Sequence, residues 1–224
     1  MSLRPLHIVF TLDDEGIMFD PFCPIHFDGL LDWCLSPLNR TGQAPARHEK
    51  PEEIRLPLGT WHYGGTWGWC ASALFPVGVE WEEETRFIRK KVRTNRLSLT
   101  NGNINLQSGK TREWNLPLTL QHISQMEAWC LGERQRFKRL LEKNLRYLGK
   151  KRHRGFGRIE DLSIDYCDDD YSVLRNRKAH RWLPDKDGLR EVRVRPPYWN
   201  NIDRVACCEV GDQYRECDLT MACR

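Results

Sequence analysis

The chain has 224 residues, 40% hydrophobic and 29% charged, and its 9 Trp and 8 Phe supply bulky core material, which excludes a largely disordered chain. No basic segment followed by a long apolar run opens the sequence, and the weakly polar stretch Trp67–Val79 falls short of the roughly 20 apolar residues of a spanning helix. A cytoplasmic protein without a membrane partner is therefore expected. The net charge of +4 hides an asymmetry: residues 1–80 hold 5 basic and 10 acidic side chains, residues 81–158 hold 19 and 7, and residues 159–224 hold 11 and 14, so the middle third suits a polyanion.

Leu6, Ile8, Phe10 and Leu12 alternate with His7, Val9 and Thr11, the period of a strand with one apolar face. After Pro21 and Pro24, the segment His26–Leu35 places Phe27, Leu30, Leu31, Cys34 and Leu35 at helical spacing with Asp28 near its start, predicting a short helix. Residues 36–53, with Pro37, Asn39, Gly42, Pro45 and Pro51, read as a surface loop. Trp61–Phe75 predicts one or two strands, Trp81–Arg96 a strand or extended arm, and residues 97–112 a polar hairpin turning at Asn101 and Gly102. Leu116–Leu120 and Met126–Leu131 follow as core strands. Phe137, Leu140, Leu141, Leu145 and Leu148 form one stripe, predicting a helix over Glu133–Leu148 ended by Gly149, and Ile159–Asp165 predicts a last strand. The order strand, helix, strands, helix, strand is the split βαβ arrangement, so the expected class is α+β and ferredoxin-like (RRM-like), with an antiparallel sheet, two helices and long β-rich insertions. One unit is expected over residues 1–165, with insertions at about 36–60 and a hairpin at about 81–115, and residues 166–224 as a carboxy-terminal extension packed on it.

Between the second helix and the last strand lies Gly149-Lys150-Lys151-Arg152-His153-Arg154-Gly155-Phe156-Gly157-Arg158, with five Lys or Arg and no acid. Glycines allow sharp turns and close approach, exposing amides that donate to phosphate oxygens beside the long cations. Phe156 either stacks on a base or anchors the loop from beneath. A second basic cluster, Arg86, Arg89, Lys90, Lys91, Arg93 and Arg96, lies in the same third of the chain. Against a loop whose charges only confer solubility stand the unusually basic helix before it, the glycines flanking Phe156, and that second cluster.

The stretch from Tyr147 to Arg152, closing with Gly155-Phe156-Gly157-Arg158, resembles the glycine-rich loop of the CRISPR-associated RAMP proteins. The run Pro24-Ile25-His26-Phe27-Asp28-Gly29-Leu30-Leu31 is similar to the opening of one branch, the Cas-five-like subunit of type IV effector complexes. The resemblance implies a non-catalytic structural subunit that holds the 5′ handle of the crRNA. Its implied partners are the backbone (Cas-seven-like) and large subunits, and it leaves room for contact with target DNA near the PAM. The hairpin at 97–112 would then resemble the thumb of such proteins.

Other chemistry is weaker. Some relatives cut RNA with a histidine acid or base, which makes His26 and His153 the candidates for a metal-independent endoribonuclease, with His62 a third histidine. Tyr166-Cys167-Asp168-Asp169-Asp170 with Asp13 and Asp14 has the composition of a two-metal polymerase site, but nothing else in the chain looks like nucleotide-gripping elements. Trp61, Tyr63, Trp67 and Trp69 read as half-buried packing rather than a stacking platform. The segment from Arg193 and Arg195 to Pro196, Pro197, Tyr198 and Trp199 is either an interface arm or an edge strand ended by proline. Cys23, Cys34, Cys70, Cys130 and Cys167 are dispersed, and Cys207, Cys208, Cys217 and Cys223 fit no common zinc module, so reduced thiols, no metal and no cofactor are expected.

Overall fold

The computed structural model describes residues 3–20, 22–36, 49–89, 114–214 and 219–222. Strand β1 (Arg4–Leu12) is the spine: Leu6, Ile8 and Phe10 are fully inaccessible and Leu12 nearly so, as the alternation predicts. Each such side chain taken from water contributes about 1.5–3 kcal/mol. β1 pairs antiparallel with β5 (Trp114–Gly132) on one side and β6 (Ile159–Tyr166) on the other, and β5 pairs antiparallel with β4 (Phe75–Arg89). The sheet order β4-β5-β1-β6, with helices α1 (Phe27–Leu35) and α2 (Arg134–Asn144) as the crossovers, is the ferredoxin-like α+β arrangement. Both helices bury their apolar stripes on one sheet face, where Phe27 meets Phe137 edge to face at 5.8 Å beside Phe10, Leu31, Met126, Leu141 and Ile164.

Two boundaries differ from the sequence expectation. The second helix stops at Asn144, whose side-chain amide donates to the Leu140 carbonyl (2.8 Å), and Leu145 is already extended (φ −110°, ψ 116°). Residues 146–148 instead form a short ladder with 157–159, in which Leu148 N–H donates to Gly157 O (2.7 Å) and Ile159 N–H to Arg146 O (3.0 Å). Leu145 and Leu148 remain buried, so their spacing mimics a continuing helix although the backbone has left it. The two core strands expected at 116–131 are one 19-residue strand, β5, because the intervening polar residues pair with β4 through a register shift between Val79 and Trp81. The expected hairpin at 97–112 and loop residues 37–48 lie outside the described residues.

The hairpin of β2 (Thr60–Tyr63) and β3 (Thr66–Trp69) and the carboxy-terminal strands build a second apolar cluster, with Trp61, Leu131, Val173, Trp182, Leu183, Val194 and Tyr214 buried. Those strands are β7 (Leu174–Arg175), β8 (Lys178–Ala179), β9 (Leu183–Pro184), β10 (Arg190–Arg193), β11 (Arg204–Cys208) and β12 (Thr220–Ala222). This region is tied to α1 by a buried ion pair. The wholly inaccessible guanidinium of Arg181 donates to Asp28 Oδ2 (3.2 Å), to Tyr198 Oη (3.0 Å) and to the Ala71 carbonyl (2.9 Å), while Tyr198 donates to Asp28 at 2.7 Å. Gly29 lies under the same tyrosine, where a Cβ would sit 3.2 Å from the ring. Asp28-Gly29 in the opening motif is therefore a clamp for the carboxy-terminal region. Of the Arg193–Trp199 segment, Arg193 closes an edge strand with its guanidinium buried against the carbonyls of Arg195 and Ile202. Trp61 is fully buried over Gly68.

Candidate nucleic-acid interface

The loop Gly149–Arg158 is seated on the segment Gly16–Met18. Lys150 N–H donates to Met18 O (2.6 Å) and Gly157 N–H to Gly16 O (2.7 Å). Two glycines make this seat possible: with φ +74° and +72°, Gly149 and Gly157 would carry a Cβ 2.4 Å from the Met18 carbonyl and 2.1 Å from the Leu148 carbonyl. Between them Lys151 adopts the left-handed region (φ 58°) and opens a single 3₁₀ turn over Arg152–Arg154, closed by Gly155 N–H donating to Arg152 O (3.1 Å). The amides of Arg152, His153 and Phe156 find no acceptor among the described residues. Nothing lies within 4 Å of a Cβ built on Gly155, so the tip is open to a ligand.

Lys150, Arg152, His153, Arg154 and Arg158 are exposed. Lys150, Arg152, Arg154 and Arg158 make no ion pair among the described residues. Arg152 lies over the Trp33 ring (5.0 Å) and Lys151 over the Phe87 ring (4.6 Å). Phe156 meets Phe87 edge to face at 6.2 Å, so it anchors the loop to β4. That contact brings the base of the second basic cluster alongside the loop. There Arg86 is exposed and spends its charge on Glu84 (2.7 Å). The backbone of Arg89 closes β4, while its side chain and Lys90, Lys91, Arg93 and Arg96 lie outside the described residues.

The structure adds cations that a reading of the loop alone misses. Arg136, Arg139 and Lys143 project from α2 on the side away from Phe137 and Leu141, all exposed and without an ion pair among the described residues. Their i, i+3, i+7 spacing is the signal. Arg146 continues the row and shares a cavity of about 530 Å³ with Tyr147, Arg158, Ile159 and Glu160. The loop cations and the α2 row thus meet at the Arg146–Arg158 cavity, where Glu160 also lines the wall, and with acceptor-free amides at the loop tip the arrangement suits phosphate oxygens.

The alternative chemistries fare differently. His26 is buried, packed against Tyr198 (4.7 Å) and Trp182 (4.6 Å), and neither ring nitrogen has a partner. Burial, followed by the Arg181 charge, holds its pKa well below the usual imidazole range, so it is a neutral packing residue and no general acid or base for an outside substrate. His62 is exposed on β2, with Nε2 3.3 Å from Thr60 Oγ1. His153 alone of the three stands among the loop cations. Asp13 follows the end of β1 that pairs with Ile159, whereas Asp168–Asp170 follow the end where Leu6 pairs with Tyr166. About six strand residues, roughly 20 Å, separate the two acidic groups, too far for metals that must sit ~4 Å apart.

Among the described residues no group of three or more His, Cys, Asp or Glu could hold a metal ion, and Cys23, Cys34, Cys70, Cys130, Cys167, Cys207 and Cys208 form no disulfide. No helix among them is long and apolar enough to cross a membrane. No curated protein matches the sequence. One family model, that of the CRISPR type IV associated protein Csf3, matches residues 4–210, a span running from β1 through the seated loop and the Asp28–Arg181 clamp to the end of β11. The chain belongs to the CRISPR type IV associated Csf3 family.

Proposed function

We propose that this protein is an RNA-binding structural subunit of a type IV CRISPR ribonucleoprotein, holding the 5′ handle of the crRNA in the loop Gly149–Arg158 and contacting the backbone and large subunits. The observation that carries the reading is the loop itself: four exposed cations without acidic partners among the described residues, on a backbone pinned by Gly149 and Gly157, with the amides of Arg152, His153 and Phe156 lacking an acceptor among those residues. Family membership supplies the setting, a CRISPR type IV system. Phosphate contacts of this kind position a strand without reading its sequence.

The test is RNA binding as a function of salt. Converting Lys150, Lys151, Arg152 and Arg154 to Glu removes up to four phosphate contacts, so the slope of log K against log salt should flatten by as much as about 3 at roughly 0.7 per single-strand phosphate. An unchanged affinity and slope would sink the assignment. The competing endoribonuclease reading now rests on His153, since His26 is buried. Incubating the purified chain with repeat RNA in EDTA, beside His153→Ala, separates the two: specific cuts lost in the variant favour the enzyme, and intact RNA in both favours the binding subunit.

A further inference from the structure

We propose a second RNA contact: a groove at the amino-terminal end of α2 that receives the single-stranded segment leaving the loop, with the cationic row of α2 as the track between them. This rests on the reading of the loop as an RNA site. The groove, about 710 Å³, lies between the start of α2, the segment 55–58 and the β2–β3 hairpin, a size within the ~300–1,000 Å³ of small-ligand pockets. Its lining combines two cations, Arg55 and Arg136, with His62 and with the half-buried Trp67, whose ring has the Arg195 guanidinium 4.7 Å from its centroid and packs edge to face on Trp69, itself 9% exposed. Glu133 is the one acid among its lining residues. Neither arginine has an ion-pair partner among the described residues, and both are exposed. Charge for a phosphate beside aromatic residues for a base is the combination by which proteins hold unpaired nucleotides.

Continuity assigns the occupant. Arg136 belongs both to the groove and to the exposed row Arg136, Arg139, Lys143, and at the far end of that row Arg146 shares a cavity with Arg158 of the loop. The helical part, Arg136 to Asn144, spans eight residues at about 1.5 Å each, some 12 Å, and two extended residues carry the row to Arg146 at up to ~3.3 Å each, so about four to six nucleotides at the ~3.4 Å per-strand spacing of a stacked helix cover it. The flank of the helix that carries Lys138 lacks such a row, because Lys138 there pairs with Glu142 (3.8 Å). An RNA that occupies only the loop should therefore bind more weakly than one long enough to reach the groove.

The full-length chain is titrated with single-stranded RNAs of about 4 and about 12 nucleotides, the longer one carrying 4-thiouridine near each end for photocrosslinking. Arg55→Glu with Arg136→Glu is compared with the loop variant and with Lys138→Glu, a charge reversal on the same helix facing away. The groove variant should lose tenfold or more in affinity for the long RNA and about 1.4 in salt slope, keep its affinity for the short RNA, and lose crosslinks to residues 55–69. Unchanged binding of the long RNA, absence of those crosslinks in the wild type, or an equal loss in Lys138→Glu would overturn the groove while leaving the loop to stand or fall on its own variant. If the loop variant binds normally and the groove variant does not, the loop reading fails and the groove survives. A wild-type chain that binds neither RNA defeats both.

Discussion

Replacing Asp28 by alanine isolates the energetics of the clamp. The carboxylate is wholly inaccessible, and it faces an equally inaccessible guanidinium at 3.2 Å. After the change Arg181 keeps its hydrogen bond to the Ala71 carbonyl and those to the carbonyls of Trp69 and Val194, so its donors are largely satisfied. Its charge, however, has no buried counterion, and Tyr198 loses the acceptor it holds at 2.7 Å. Breaking a buried pair from one side costs about 3–5 kcal/mol, and for a chain of this length each kcal/mol lowers Tm by roughly 2–4 °C, so a fall of about 6–20 °C is expected. Thermal denaturation followed by circular dichroism, with urea unfolding in parallel, measures it. The companion Asp28→Ala with Arg181→Met strands no ion but leaves the carbonyls of Trp69, Ala71 and Val194 without their donor, so it should be less destabilised than the sum of the two single variants rather than restored. An Asp28→Ala variant within about 1 kcal/mol of wild type, or a double variant destabilised by the full sum of the two singles, would refute the reasoning.

Asp32 gives a pH dependence. Burial, reinforced by the nearby Asp28 charge and opposed by Arg193, raises its carboxyl to about 6. The folded chain then holds a proton that the unfolded chain has released between about pH 4 and 6, so stability falls as pH rises through that window. Asp32→Asn should remove the fall, matching wild type near pH 4 and exceeding it above pH 6 by on the order of 1 kcal/mol after allowance for partial exposure. Equal stabilities across the range would contradict it. Gly157→Ala places a Cβ 2.1 Å from a carbonyl and should cost more than about 2 kcal/mol while weakening RNA binding without altering charge, whereas Gly155→Ala meets open space and should cost about 1 kcal/mol. Urea midpoints that fail to separate the two variants would show that the loop is not seated as described.

Legibility in the sequence followed the range of the forces involved. β1 and α1 are local: their periods report one buried face, and the structure places those faces inward. The end of α2 lies beyond what periodicity shows, because Leu145 and Leu148 keep helical spacing while Leu148 N–H donates to Gly157 O and Arg146 O accepts from Ile159 N–H, a competition no periodicity records. His26 looked available as a catalytic group because its cover, Trp182 and Tyr198, lies more than 150 positions away in the chain. Asp28 reads as an ordinary acid in a first helical turn until Arg181, 153 residues on, supplies its counterion. The row Arg136, Arg139, Lys143 was legible in principle, since the apolar stripe fixes which face of a helix is left for solvent.

Fold class alone would have directed attention to the wrong surface. In RRM domains the open face of a four-stranded sheet stacks bases on exposed aromatics. Here that face carries carboxylates along β5 and β6: Glu127 pairs with His7 (2.9 Å), and Asp161 and Asp165 stand across from Thr11 and His7, Asp165 lying 3.6 Å from the Arg134 guanidinium. Of its large aromatic residues, Trp129 is 6% exposed, stacked on His7 and covered by Tyr171, Arg175 and His180 from the carboxy-terminal region, and the half-buried Phe75 packs against Trp129 and His180. A phosphate chain approaching there would meet carboxylates and no free ring. On the helical side the same chain would meet Arg136, Arg139, Lys143, Arg146 and the loop cations, and the segregation of charge by face, more than the net +4, selects the side on which RNA is proposed to lie.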